Sequence, residues 1–225
     1  MLLLSVDTSG KDGSIALAQC DGAVCNAIEV VSLVGGTFSA QLIPQIAALL
    51  AKHAFSKHDI AGFVVATGPG SFTGLRVGLA AIKALADVLA KPVAAVSLLE
   101  AVASASSLTG RVLALMDAGR GEVFAGAYAI PEDGEMHALG EKLMKIDDVS
   151  SANGQHIVTP DETLVQVLQT KGIEAEHVER PRTDTLARLG WRKIQTGDTV
   201  SPEQLEANYI RQSDAEIFSK PSGQS

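Results

Sequence analysis

The chain has 225 residues, 46% of them apolar and 20% charged, which fits a globular protein and excludes disordered and fibrous classes. Aromatic residues make up only 4%, too few for the stacking platforms that grip single-stranded nucleic acid. The formal charge of −8 lies mostly beyond residue 100, and without a Lys/Arg cluster such a chain repels phosphate backbones, so any role on nucleic acid needs a partner to supply positive surface.

The opening Met1-Leu2-Leu3-Leu4-Ser5-Val6 reaches Asp7 with no basic flank. It reads as a buried strand, Leu2 to Val6, and is too short for a signal peptide. A turn through Ser9 to Gly13 leads to strands at Ser14–Ala18 and Ala23–Val31. Cys20 and Cys25 lie in this region at a spacing that matches no zinc or C-x-x-C motif, so free thiols in a reducing cytoplasm are expected. Gly35-Gly36 breaks the chain before a helix over Phe38–His53. Gly62–Thr67 is a continuous apolar run, hence a central strand, and a Gly-rich turn opens a helix over Thr73–Ala90 that ends at Lys91-Pro92. A strand at Val93–Val96 and a helix at Leu98–Ser106 complete the order βββαβαβα, a mixed sheet with helices on its faces. The longest apolar stretch, Val77–Ala90, is interrupted by Lys83 and Asp87, so no membrane span is expected.

The second half restarts the theme. Leu113-Ala114-Leu115-Met116-Asp117 resembles Leu3 to Asp7, and both are followed by turn residues and a second apolar strand, Ser14–Ala18 or Val123–Tyr128. A duplicated domain follows from this, with lobes over residues 1–100 and 101–225. Helices at Thr163–Thr170 and Thr185–Gln195, an extended piece at Ala207–Ile210 and a frayed tail from Ser219 are the remaining expectations.

The segment Gly68-Pro69-Gly70-Ser71-Phe72-Thr73-Gly74-Leu75-Arg76-Val77-Gly78 joins a buried strand to a helix N-terminus, where exposed amides can meet an anion. It lacks the Lys of a P-loop, and Thr73 stands where a dinucleotide fingerprint needs its third glycine. Two readings stay open: a tight structural turn capped by Ser71 or Thr73, or a ligand loop.

The two helices flanking this loop and the preceding break carry more apolar surface than one sheet can cover. Leu42, Ile43, Ile46, Leu49 and Leu50 are backed by alanines on the first; Leu75, Gly78, Leu79, Ile82 and Leu85 occupy the second, whose charges (Arg76, Lys83, Asp87) fall on a narrow stripe. These ten positions are the candidate partner-binding surface; cover by the second lobe is the alternative.

Conventional catalytic constellations are missing from the sequence. None of the five histidines has H-x-x-x-H or H-E-x-x-H spacing, and Ser71 does not sit in a G-x-S-x-G elbow. Asp7 and Asp117 either meet across a cleft, where they would orient Mg²⁺ or water for an ATP-dependent reaction, or cap their own hairpins.

Four segments together resemble the TsaB (YeaZ-like) family: the loop Gly68–Gly78, the strand into Asp7-Thr8-Ser9, Met116-Asp117-Ala118-Gly119-Arg120-Gly121-Glu122-Val123-Phe124, and Asn208-Tyr209-Ile210-Arg211 followed by Ala215-Glu216. The resemblance implies an actin-like (ASKHA, ribonuclease H-like) α/β fold of two lobes. It also implies a non-catalytic relative of TsaD, the enzyme that installs threonylcarbamoyl on adenosine 37 of tRNAs reading ANN codons. The partners it implies are TsaD as heterodimer mate, TsaE as an ATPase joining the pair, TsaC as the source of threonylcarbamoyl-adenylate, self-association through the same helices when TsaD is absent, and tRNA only through the complex. No cofactor or metal of its own is expected. Phe38-Ser39-Ala40 stands where family members often have His-Ser-Glu, and the histidine pair behind the peptidase label of the wider superfamily is lacking. An independent ATP-dependent or metallopeptidase-like enzyme, with its site between the lobes, is the competing reading.

Overall fold

A computed structural model describes residues 1–34, 37–132, 136–150 and 154–210. The Gly35-Gly36 break, Arg211, Ala215-Glu216 and the tail from Ser219 lie outside the described residues.

The first sheet is built from β1 (Leu2–Asp7), β2 (Gly13–Asp21), β3 (Val24–Leu33), β4 (Ile60–Gly68) and β5 (Val93–Ser97), in spatial order β3-β2-β1-β4-β5. β1 is antiparallel to β2 and parallel to β4, and β4 is parallel to β5. The helices α1 (Phe38–Lys52), α2 (Phe72–Leu89) and α3 (Leu98–Ala103) are interleaved with these strands as the apolar periods predict. The second sheet contains β6 (Gly110–Gly119), β7 (Glu122–Ile130), β8 (His137–Lys145), β9 (His156–Thr159) and β10 (Glu176–His177), in the order β8-β7-β6-β9-β10. Its pairing senses repeat those of the first sheet strand for strand. The duplication read from two short apolar runs is therefore a property of the whole topology. Helices α4 (Glu162–Thr170) and α5 (Thr183–Thr196) complete the chain.

Strand alternation sorts the side chains into layers. Leu2, Leu4 and Val6 of β1 face α1 and α2, while Leu3 joins a central core with α3 and α5. On β6, Val112, Ala114 and Met116 face that central core and Leu113 and Leu115 face α4. The two internal helices are exchanged between the sheets: α5 packs against β1 to β5, whereas α3 rests on β6 and β7. Gly190 lets α5 lie close on the first sheet, because a Cβ there would run into Val64. Each buried Leu or Ile in these layers contributes roughly 1.5–3 kcal/mol relative to exposure.

Two expectations need correction. Cys20 and Cys25 are not free thiols. A tight turn at Gly22, with φ of +52°, makes them directly opposed on β2 and β3, where both are buried and joined as a disulfide. The thiol argument for a reducing compartment falls with that pairing. The chain beyond Pro131 also holds three strands that the sequence pattern does not announce, because β8 is largely exposed and lacks an apolar alternation. Among the described residues no helix is long and apolar enough to cross a membrane.

Candidate functional site

The signature loop is packed against the end of β1. Ser71 donates its backbone N–H to the Ser9 carbonyl at 2.6 Å, and the Thr8 hydroxyl donates to the Gly74 carbonyl at 2.7 Å. The Ser71 side chain caps α2 by accepting the Gly74 N–H at 3.2 Å. Gly70, Gly74 and Gly78 make this approach possible. A Cβ on Gly70 would stand 2.5 Å from the Ser9 carbonyl oxygen; on Gly74 and Gly78 it would come closer still to Thr8. Of the two readings, the geometry supports the structural turn: the Ser71 and Gly74 amides are already taken up by the Ser9 carbonyl and the Ser71 hydroxyl.

At the start of α2 the loop exposes a small polar-aromatic cluster. The Arg76 guanidinium lies 3.7 Å above the Phe72 ring, and its Nε donates to Tyr209 Oη at 3.2 Å. Tyr209 in turn sits against Phe72 with ring centroids 5.1 Å apart. Asn208 ties this segment to the loop's origin by donating its N–H to the Thr67 carbonyl at 2.8 Å. Two segments remote in sequence thus meet at one rim.

Beside that rim runs a groove of about 480 Å³ between α1 and α2, lined by Ser39, Leu42, Ile43, Phe72, Thr73, Arg76, Val77, Ala80 and Ala81. Here the ten candidate partner-binding residues divide. Leu42, Ile46, Leu49, Leu50, Leu75, Gly78, Leu79 and Ile82 are buried, packed mainly by the first sheet, with Val200, Leu205 and Ala207 from the second half of the chain joining the same core. Only Ile43, 49% exposed, stands open, and Leu85 is half-buried. The reason is a sorting of apolar residues by size. Most Leu and Ile turn inward, and a second apolar face made mostly of alanine looks out: Ala40, Ile43, Pro44, Ala47 and Ala51 on α1, with Ala80, Ala84 and Val88 on α2. The sequence shows that both faces exist, but the larger residues do not mark the free one.

Asp7 and Asp117 share one local device. Each carboxylate accepts the backbone N–H two residues on, from Ser9 at 2.8 Å and from Gly119 at 2.9 Å. Burial pushes the Asp7 carboxyl above its ordinary value, against the opposing pull of its Ser9 hydrogen bonds and of Arg180. The link between the two turns runs through Asp161, whose carboxylate accepts the Asp117 N–H at 2.8 Å and pairs with Arg180 at 2.6 Å. Neither Asp161 nor Arg180 stands out in the sequence. His53 bonds Glu29 at 2.7 Å beside Lys52, tying α1 to β3, while His58 is exposed. Among the described residues no three His, Cys, Asp or Glu side chains converge to hold a metal ion.

Two topologically identical mixed sheets, separated by exchanged helices, define an actin-like, ribonuclease H-like protein of the ASKHA class. A family model described as "TsaD: tRNA N6-adenosine threonylcarbamoyltransferase" matches residues 32–215. The chain is 30% identical to the tRNA threonylcarbamoyladenosine biosynthesis protein TsaB of Bacillus subtilis, over 96% of each chain. It is 28% identical to the Escherichia coli protein of the same name, over 94% of this chain and 95% of that one. The solved structure of YeaZ from Pseudomonas aeruginosa superposes with a TM-score of 0.72 at 25% identity, covering 92% of this chain and 100% of the other. The chain belongs to the TsaB (YeaZ-like) family.

Proposed function

We propose that the protein is a non-catalytic accessory subunit in the biosynthesis of threonylcarbamoyladenosine on tRNA, and that it works by seating TsaD on the groove between α1 and α2. The observation that carries this reading is the open small-residue face of the two helices, continuous with the Phe72–Arg76–Tyr209 rim, in a chain with end-to-end similarity to proteins named for that modification. Alanines at the surface let a partner helix approach closely, and the buried leucines beneath hold the platform rigid. An acidic chain of this kind would meet tRNA only through the complex. TsaE joins the assembled pair in this reading, and two copies of the chain use the same face when TsaD is absent.

An independent ATP-dependent or metallopeptidase-like activity has no observation in its favour, since Asp7 and Asp117 are each engaged in a turn and Arg180 is paired beside them. The test is co-elution. Purified protein and TsaD from the same organism should run together on size exclusion and give a saturable calorimetric titration, and Ala80→Asp should remove both signals. Separate elution of the two wild-type proteins across micromolar concentrations would overturn the proposal.

A further inference from the structure

The rim of the groove belongs to the first sheet, yet the residue that fixes it lies on the second. Glu141 on β8 accepts a hydrogen bond from the Tyr128 hydroxyl with one carboxylate oxygen and from the Asn208 side-chain amide with the other. Tyr128 is fully buried, and burial together with the Glu141 charge pushes its phenol far above the ordinary range, so it remains a donor. Glu141 is therefore anchored from beneath, and it grips Asn208 from the side. Asn208 is the pivot. Its backbone N–H is held by Thr67 just ahead of the signature loop, and the next residue, Tyr209, accepts from Arg76 and packs on Phe72. The path Tyr128–Glu141–Asn208–Tyr209–Arg76 is a chain of direct contacts and covalent neighbours from the inner face of the second sheet to the mouth of the groove.

We infer that Glu141 is a positioning residue for the partner-binding rim: through Asn208 it sets the orientation of Tyr209 and hence of the Arg76 guanidinium that borders the groove. This rests on the groove being the TsaD seat, and it adds a residue from the opposite sheet that touches no groove-lining side chain in the contacts described. A carboxylate suits the position because both of its neighbours are donors. Glutamine can serve as well, by accepting from Asn208 with its oxygen while its amide donates to a reoriented Tyr128 hydroxyl. Leucine can do neither.

The experiment uses the full chain with two readouts. Asn208→Ala cuts the tie while leaving the Tyr128–Glu141 pair intact, so it is expected to fold; Glu141→Leu and Glu141→Gln accompany it. In the protein alone, exchange of the backbone amide at position 208, corrected for the intrinsic rate of the residue there, should quicken about tenfold in Asn208→Ala and Glu141→Leu and stay at the wild-type rate in Glu141→Gln. In titrations with TsaD, the first two variants should bind roughly fivefold to tenfold more weakly and the Gln variant like wild type. Combined with Arg76→Ala, Asn208→Ala should add no further loss, because both act on one rim. Wild-type protection of the position 208 amide in the Asn208→Ala and Glu141→Leu proteins would overturn the inference whatever TsaD does. Unaltered TsaD affinity in those variants, or a fully additive double mutant, would overturn it as well. Failure of the wild-type protein to bind TsaD would instead sink the proposed function, with the exchange measurement still deciding whether Glu141 orders the rim.

Discussion

Arg76 and Tyr209 lie 133 residues apart and meet at 3.2 Å, the guanidinium Nε donating to the phenol oxygen while the same guanidinium covers the Phe72 ring. A planar guanidinium can stack flat on the ring while its fixed Nε donates to the side; a compact ammonium on a flexible stem holds the two contacts together far less well. Arg76→Lys should therefore cost nearly as much as Arg76→Ala. Because the cluster is exposed, each single change should lower stability by only about 0.5–1 kcal/mol. A double-mutant cycle with Tyr209→Phe should give a coupling well above zero by urea denaturation. A lysine variant indistinguishable from wild type would show that charge alone matters at this position.

The sidedness of α1 and α2 separates folding from assembly. Leu79 and Ile46 are each 5% exposed, so Leu79→Asp and Ile46→Asp bury a charge and should unfold the protein rather than merely block a partner. Leu79→Ala should cost about 2–5 kcal/mol. Ile43→Asp lies on the open face, should change stability by less than about 0.5 kcal/mol, and should still remove TsaD from the co-eluting peak. Chemical denaturation beside size exclusion reads both effects on the same samples.

Gly74 tests the close approach of β1 to α2. In an ordinary helix, alanine for glycine stabilises by about 1 kcal/mol. Here the added methyl would strike the Thr8 carbonyl, a backbone atom that cannot move aside cheaply. Gly74→Ala should thus destabilise by about 1–3 kcal/mol, measured as a lower urea midpoint at unchanged slope. A raised midpoint would contradict the packing described for the loop.

Asp7 gives a prediction with a definite sign in pH. Its carboxyl is raised by burial, so the folded protein holds that proton more tightly than the unfolded chain does. The ionised form therefore costs stability at neutral pH, and the cost fades as pH falls through the folded-state value toward the ordinary carboxylate range. Asp7→Asn keeps an oxygen for the Ser9 N–H and removes the charge. It should melt above wild type at pH 7, with the gap closing near pH 3 to 4 (about the unperturbed value).

The first hundred residues were legible because their periods are pure: alternating or continuous apolar strands, and helices bounded by Gly and Pro. β8 was not, since its residues are mostly exposed and its place in the sheet comes from backbone pairing with β7. At the site, the loop glycines and Arg76 were visible as a motif, but their use was not. Gly70 and Gly74 earn their identity from Ser9 and Thr8, which no local pattern places beside them. Most of the candidate partner-binding residues turn inward for a simpler reason. Periodicity ranks residues by hydrophobicity, and the leucines with the strongest signal are those the protein's own sheet consumes, leaving alanines to mark the open side.

The crossing of α3 and α5 to opposite sheets has a consequence for how the molecule behaves as a body. Each half of the polypeptide finishes the other's interior, so a scission between them would yield two fragments with bare sheets and no means of sealing them. Nor can the halves swing like jaws without stripping a helix from its bed. Whatever docks on the outer groove meets an anvil, and any adjustment of fit must come from the visitor.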